Sequence, residues 1–116
     1  MNQGVQIVIY PVKDAAQAKA QFTELLGVEP YADTPYYIGY KVGGQDIGLD
    51  PQGHQSGAVT YYKVGDIKGS FQKLLDAGAE TVEEIRDVGA GRLVGSARDA
   101  SGNLIGLFQD PPQPSA

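Results

Sequence analysis

The sequence predicts an α+β fold of two βαβββ modules, with helices outside and a mixed sheet lining a shared concave surface. Three observations predict it. The chain repeats itself: Val12-Lys13-Asp14 returns as Val64-Gly65-Asp66, Leu25-Leu26-Gly27-Val28-Glu29 as an altered Leu74-Leu75-Asp76-Ala77-Gly78-Ala79-Glu80, and Ile47-Gly48-Leu49 as Ile105-Gly106-Leu107. Each copy opens with a strand-like run that leads into an Asp-capped apolar stripe of helical period. Each closes in short β-rich runs separated by glycine turns. Two copies are too few for a solenoid, so they are expected to close on each other in one domain, 1–110, with modules at 5–50 and 58–109.

The first strand is expected over Gln6 to Val12, rich in Val and Ile, with Pro11 at its end. Asp14 reads as a helix N-cap with Gln17 as its capping-box partner. From Ala15 to Leu26, Ala18, Phe22, Leu25 and Leu26 recur at helical spacing. Gly27 stops that helix, because glycine takes a left-handed conformation without strain. Strands follow at Tyr36 to Val42 and Asp46 to Asp50 around a Gly43-Gly44 turn, with a weaker one near Val28 to Ala32. Residues 51–57 have the Gly, Pro and Ser content of a linker. Module two repeats the plan: a strand at Val59 to Val64, the Asp66 cap, and a helix with Ile67, Phe71, Leu74 and Leu75 on one stripe and Gly78 at its end. Glu80 to Ile85, Arg92 to Arg98 and Leu104 to Gln109 complete it, with a turn at Ser101-Gly102-Asn103. The tail from Asp110 through the prolines has little to bury, and disorder is expected over 111–116.

Composition bounds the function. At 116 residues the chain is long enough for a core without staples. A net charge of -5 argues against nucleic acid, which wants a basic face. No apolar run reaches membrane-spanning length, and no basic leader precedes the first strand. There is no cysteine, hence no disulfide and no thiolate nucleophile. A cytoplasmic protein is the expectation.

With these elements in place, the chain resembles the vicinal-oxygen-chelate superfamily of glyoxalase I, bleomycin-resistance proteins and extradiol dioxygenases. The resemblance runs from about Val5 to Gln109, and its most specific part is Arg98-Asp99-Ala100-Ser101-Gly102-Asn103-Leu104-Ile105-Gly106-Leu107. That run is similar to the closing Asp-Pro-x-Gly-Asn hairpin and last strand of the family, with Ala100 where proline is usual. The Val-x-Asp openings at Val12 and Val64 match as well. The resemblance implies paired modules forming a cup, with four metal ligands at Ile7, Gly48, Val59 and Gly106. Hydrocarbon and glycine offer no donor to a divalent metal. The only histidine, His54, sits in the linker. No metal and no cofactor are therefore expected, and the leading reading is a metal-free small-molecule-binding protein. As in metal-free relatives that sequester antibiotics, a homodimer is expected.

Period-two alternation sorts the strands. Val8, Tyr10 and Val12 should face the first helix, leaving Ile7 and Ile9 toward the cup. Thr60, Tyr62 and Val64 should face the second, leaving Val59, Tyr61 and Lys63. Ile105 and Leu107 should face the same helix, leaving Leu104, Gly106 and Phe108. The candidate ligand-binding residues are Ile7, Ile9, Tyr37, Gly48, Asp50, Val59, Tyr61, Arg92, Gly106 and Phe108. Tyr37 is chosen from the cluster Tyr31, Tyr36, Tyr37 and Tyr40, which ordinary strand composition also explains. Arg92, after Gly89-Ala90-Gly91, could meet an anionic ligand group, although the glycine spacing fits no phosphate loop. No Ser-His-Asp set is present. Asp50 with Asp99 or with Glu29 is the carboxylate pair the sequence offers for acid–base work. The alternatives are a glyoxalase-type lyase or isomerase with a rearranged site that uses Asp50 and Tyr61, and a ligand-free partner domain.

Overall fold

A computed structural model of the chain describes residues 2–52 and 57–112. Its elements, in order, are β1 (Asn2–Pro11), α1 (Ala15–Leu26), β2 (Ala32–Asp33), β3 (Ile38–Val42), β4 (Gln45–Asp50), β5 (Val59–Val64), α2 (Ile67–Asp76), β6 (Glu80–Asp87), β7 (Leu93–Arg98) and β8 (Leu104–Gln109). The fold is thus mixed α+β, and the strand–helix–three-strand order recurs. His54 lies outside the described residues, as does most of the tail. The chain divides into two compact units, Gln6–Thr60 and the part from Tyr61 onward joined by the first five residues.

In the first unit the strands run β2-β3-β4-β1. β1 pairs parallel with β4, and β3 and β4 form an antiparallel hairpin. Its turn is Gly43-Gly44, whose φ angles of 56° and 79° are those a two-residue hairpin turn demands. Helix α1 forms as its sequence asks. The Asp14 carboxylate accepts the Gln17 amide at 3.0 Å, and Gly27 closes the helix at φ 73°. Its inner face covers Ile38, Tyr40 and Leu49, with Val12, Phe22, Leu26 and Ile47 packed around them. Leu25 departs from the expected stripe and is 74% exposed. Ala18, Phe22 and Leu26 keep the stripe on the core, whereas Leu25, in the last turn, lies outside the packed cluster.

In the second unit the order is β5-β8-β7-β6. The Asp66 carboxylate accepts the Gly69 amide at 3.1 Å, and Ile67, Phe71, Leu74 and Leu75 all turn inward onto Val64, Ala97 and Leu107. Gly95 on β7 meets the Phe71 ring so closely that a side chain there would stand 2.9 Å from it. The turn between β7 and β8 is held by Asp99, whose carboxylate accepts the Ser101 and Asn103 amides and the Asn103 side chain. Those bonds, led by the Asn103 side chain, hold the Asp99 carboxyl below its ordinary range.

Several edges differ from expectation. β1 starts at Asn2, β3 starts at Ile38, and the weak strand near Val28 shrinks to Ala32–Asp33. Thr34 explains the β3 edge: its side chain binds the backbone of Tyr37 in both directions and holds 34–37 as a turn. No helix among the described residues is long and apolar enough to cross a membrane.

Candidate functional site

In each unit one face of the sheet carries the helix, and the candidate residues lie on the other. On the first sheet this face holds Ile7 and Ile9 of β1, Gly39 and Lys41 of β3, and Asp46, Gly48 and Asp50 of β4, because their neighbours pack under α1. Gly39 and Gly48 stand directly opposite each other across the hairpin. The Tyr37 ring lies on both. A Cβ at Gly48 would stand 2.5 Å from Tyr37 Oη and 2.6 Å from its Cε1. A Cβ at Gly39 would stand 2.7 Å from Tyr37 Cε2 and 2.8 Å from Tyr31 Cζ. Only glycine leaves room for the two rings. The Thr34 turn delivers Tyr37 to this place: the Thr34 hydroxyl donates to the Tyr37 carbonyl and accepts its amide. Lys41 sits 5.2 Å over the Tyr31 ring and pairs with Asp46 at 2.9 Å.

The same device recurs in the second unit. The Tyr61 ring lies on Gly106, where a Cβ would stand 2.6 Å from Cε1 and 2.8 Å from Cγ. Phe108 shares the Gly106 face of β8, and the Arg92 guanidinium stacks on it at 4.8 Å. Arg92 Nε donates to Asp110 Oδ1 at 2.6 Å, while Lys63 Nζ stands 3.6 Å from the other carboxylate oxygen. The hydrogen bond from Arg92 is the main reason that the Asp110 carboxyl titrates below its ordinary value. An open cleft of about 590 Å³ lies here, lined by Val88, Gly89, Ala90, Arg92, Asp110 and Pro111.

The geometry revises the expected cup floor. Gly48 and Gly106 are not open floor, since a tyrosine covers each. Phe108 is only 2% exposed and supports Arg92 rather than forming a bare wall. Ile7 is buried, Ile9 and Val59 are half-buried, and Asp50 accepts the Gln52 amide at 2.9 Å, so its carboxylate serves its own turn. The tyrosine cluster divides: Tyr40 is fully buried under α1, donating to the Lys19 carbonyl at 3.0 Å and meeting the Thr23 hydroxyl at 2.8 Å, while Tyr36 is exposed. Asp110, read as the start of the tail, is instead bound to Arg92. Gly39 and Asp110 were not among the candidates, and Lys63, placed on the cup face, and Tyr31, in the tyrosine cluster, were not chosen from theirs. The sequence held one signal for Gly39, which is as far from the Gly43-Gly44 turn as Gly48 is.

These residues do not fit a divalent metal at the places where the resemblance would put its ligands. Ile7, Gly48, Val59 and Gly106 supply no donor, and a carboxylate at either glycine would run into a ring. Among the described residues, no three His, Cys, Asp or Glu side chains gather into a possible cation site.

Comparison with known proteins agrees with the architecture. The family model for the Glyoxalase/Bleomycin resistance protein/Dioxygenase superfamily matches residues 4–107. No curated protein matches the chain. A superfamily member from Vibrio splendidus superposes with a TM-score of 0.74 at 18% identity, covering 96% of this chain and 100% of that one. Methylmalonyl-CoA epimerase from Mycobacterium tuberculosis gives 0.73 at 19% identity, covering 96% and 90%. Streptomyces coelicolor methylmalonyl-CoA epimerase in complex with 2-nitronate-propionyl-CoA gives 0.72 at 12%, covering both chains fully. At such identities the likeness is one of fold.

Proposed function

Because the chain belongs to the Glyoxalase/Bleomycin resistance protein/Dioxygenase superfamily, we propose that it binds a small organic molecule without a metal. One observation carries this reading: at the last-strand position of each unit, Gly48 and Gly106, a tyrosine ring lies on the glycine. Neither glycine carries a carboxylate, and one placed there would have to displace the ring. Lewis-acid chemistry of the glyoxalase or dioxygenase kind depends on such ligands. What the strands of each unit offer instead is an aromatic surface, Tyr37 and Tyr31 with apolar Ile9 in the first unit and Tyr61 in the second. Flat aromatic surfaces with a few placed polar groups suit a planar organic ligand.

Isothermal titration with zinc, nickel, manganese and iron(II), with native mass spectrometry of freshly purified protein, tests the reading. The expected result is no stoichiometric sub-micromolar metal uptake and an organic adduct lost on unfolding. One-to-one metal uptake that Tyr37→Ala or Tyr61→Ala alters would overturn it. Turnover of a methylglyoxal–glutathione hemithioacetal would favour a glyoxalase-type enzyme instead.

A further inference from the structure

We propose that the cleft beside Arg92 is a carboxylate-binding subsite. It rests on the small-molecule reading above and narrows it: the ligand carries an acid group that Arg92 receives.

The argument begins with Arg92 itself. Its guanidinium is fixed on two sides, by the Phe108 ring beneath it at 4.8 Å and by Asp110 on its Nε at 2.6 Å. Among the described residues, the two terminal nitrogens have no acceptor. An arginine held flat with its terminal fork free is already shaped for two parallel hydrogen bonds to a carboxylate. Lys63 stands at the same carboxylate at a looser 3.6 Å and can turn toward an incoming anion.

Charge decides the class of anion. The chain carries a net -5, yet here two cations share one carboxylate. Their local sum of +1 is cancelled by a monoanion. A phosphate dianion would leave excess negative charge against Asp110. The loop adds a donor. Gly89, Ala90 and Gly91 hold successive positive φ angles of 122°, 56° and 81°, and the amide of Ala90, which lines the cleft, finds no acceptor among the described residues. A left-handed alanine is a conformation that non-glycine residues rarely keep without a reason. At about 590 Å³ the cleft is in the size range of small-ligand sites. Val88 and Pro111 give it apolar sides, which suits a carboxylate on an apolar or aromatic body.

The test is a titration of the ¹⁵N-labelled full chain with benzoate, benzamide and phenyl phosphate, in the presence of a chelator. Benzoate should saturably shift the Arg92 Nε–H resonance and the Ala90 amide. Benzamide, its neutral counterpart, should shift them little. Arg92→Gln should weaken benzoate binding about tenfold or more, and Lys63→Gln a few-fold. Arg92→Lys keeps the charge without the fork and should recover only part of the affinity. Amide dispersion checks that each variant is folded. Equal response to benzoate and benzamide, or unchanged affinity in Arg92→Gln, would overturn the subsite. Tighter binding of phenyl phosphate than benzoate would overturn the carboxylate assignment. The chelator separates this outcome from metal uptake: a null result here leaves the metal-free reading standing, and a metal-binding result leaves this one standing.

Discussion

Gly106→Ala is the most informative single change, because its sign depends on one neighbour. The glycine has an ordinary extended backbone, so alanine fits the strand and should by itself help stability by roughly 0.5–1 kcal/mol. The obstacle is the Tyr61 ring. The new Cβ would meet Cε1 at 2.6 Å and Cγ at 2.8 Å, where carbon atoms prefer about 3.5–4.0 Å. Overpacking of this kind costs about 1–3 kcal/mol. Tyr61 is half-buried and can swing aside, which favours the lower part of that range. Set against the alanine gain, this leaves a net loss of up to about 1.5 kcal/mol, or a Tm lower by up to roughly 10 °C for a domain of this size. Urea denaturation of a double-mutant cycle reads it directly. In the Tyr61→Ala background the same glycine change should be neutral or stabilising. An equal loss in both backgrounds would refute the idea that the ring is what the glycine accommodates.

Other expectations follow from the cores and from the ion pair. Phe71→Ala should cost about 3–5 kcal/mol in chemical denaturation, because the ring is 5% exposed and packs closely against Gly95. Tyr40→Phe should cost about 1–2 kcal/mol, since it removes the donor to the Lys19 carbonyl and the partner of Thr23 inside the first core. Asp110→Asn should show a pH signature. The folded carboxyl titrates below its unfolded value, chiefly through Arg92. Its stabilising effect is therefore complete above the unfolded pKa of about 3.9 and is lost as pH falls through the folded one. The Tm gap between wild type and Asp110→Asn should hold from pH 7 to pH 5 and close below about pH 4; a gap unchanged at pH 2 would contradict the pairing.

Much of this architecture is legible in the residues. The Asp14 and Asp66 caps, the Gly43-Gly44 turn and the alternation of β1, β5 and β8 fix which side chains meet each helix. Such features act over a few residues, so a local pattern captures them. Leu25 shares the period of the buried Ala18 yet stands exposed in the last turn, and only packing reveals where along a helix the core ends. The candidate site was legible by face but not by contact. Alternation places Gly48, Tyr61, Gly106 and Phe108 on the helix-free side, yet says nothing of a ring from Tyr37 or Tyr61 folding down onto a glycine. That depends on the Thr34 turn in one case and on a cross-strand approach in the other. Asp110 was hidden by the prolines that follow it, whose composition suggests a tail, while its partner Arg92 lies on another strand edge.

The central claim is that tyrosine rings occupy the two places from which a carboxylate would otherwise reach an ion. Diffraction from crystals soaked in zinc or nickel, recorded at the metal's absorption edge, tests it most directly. The account predicts both rings seated on their glycines and no anomalous peak beside Gly48 or Gly106. A metal bound there, with Tyr37 or Tyr61 turned away, would contradict it.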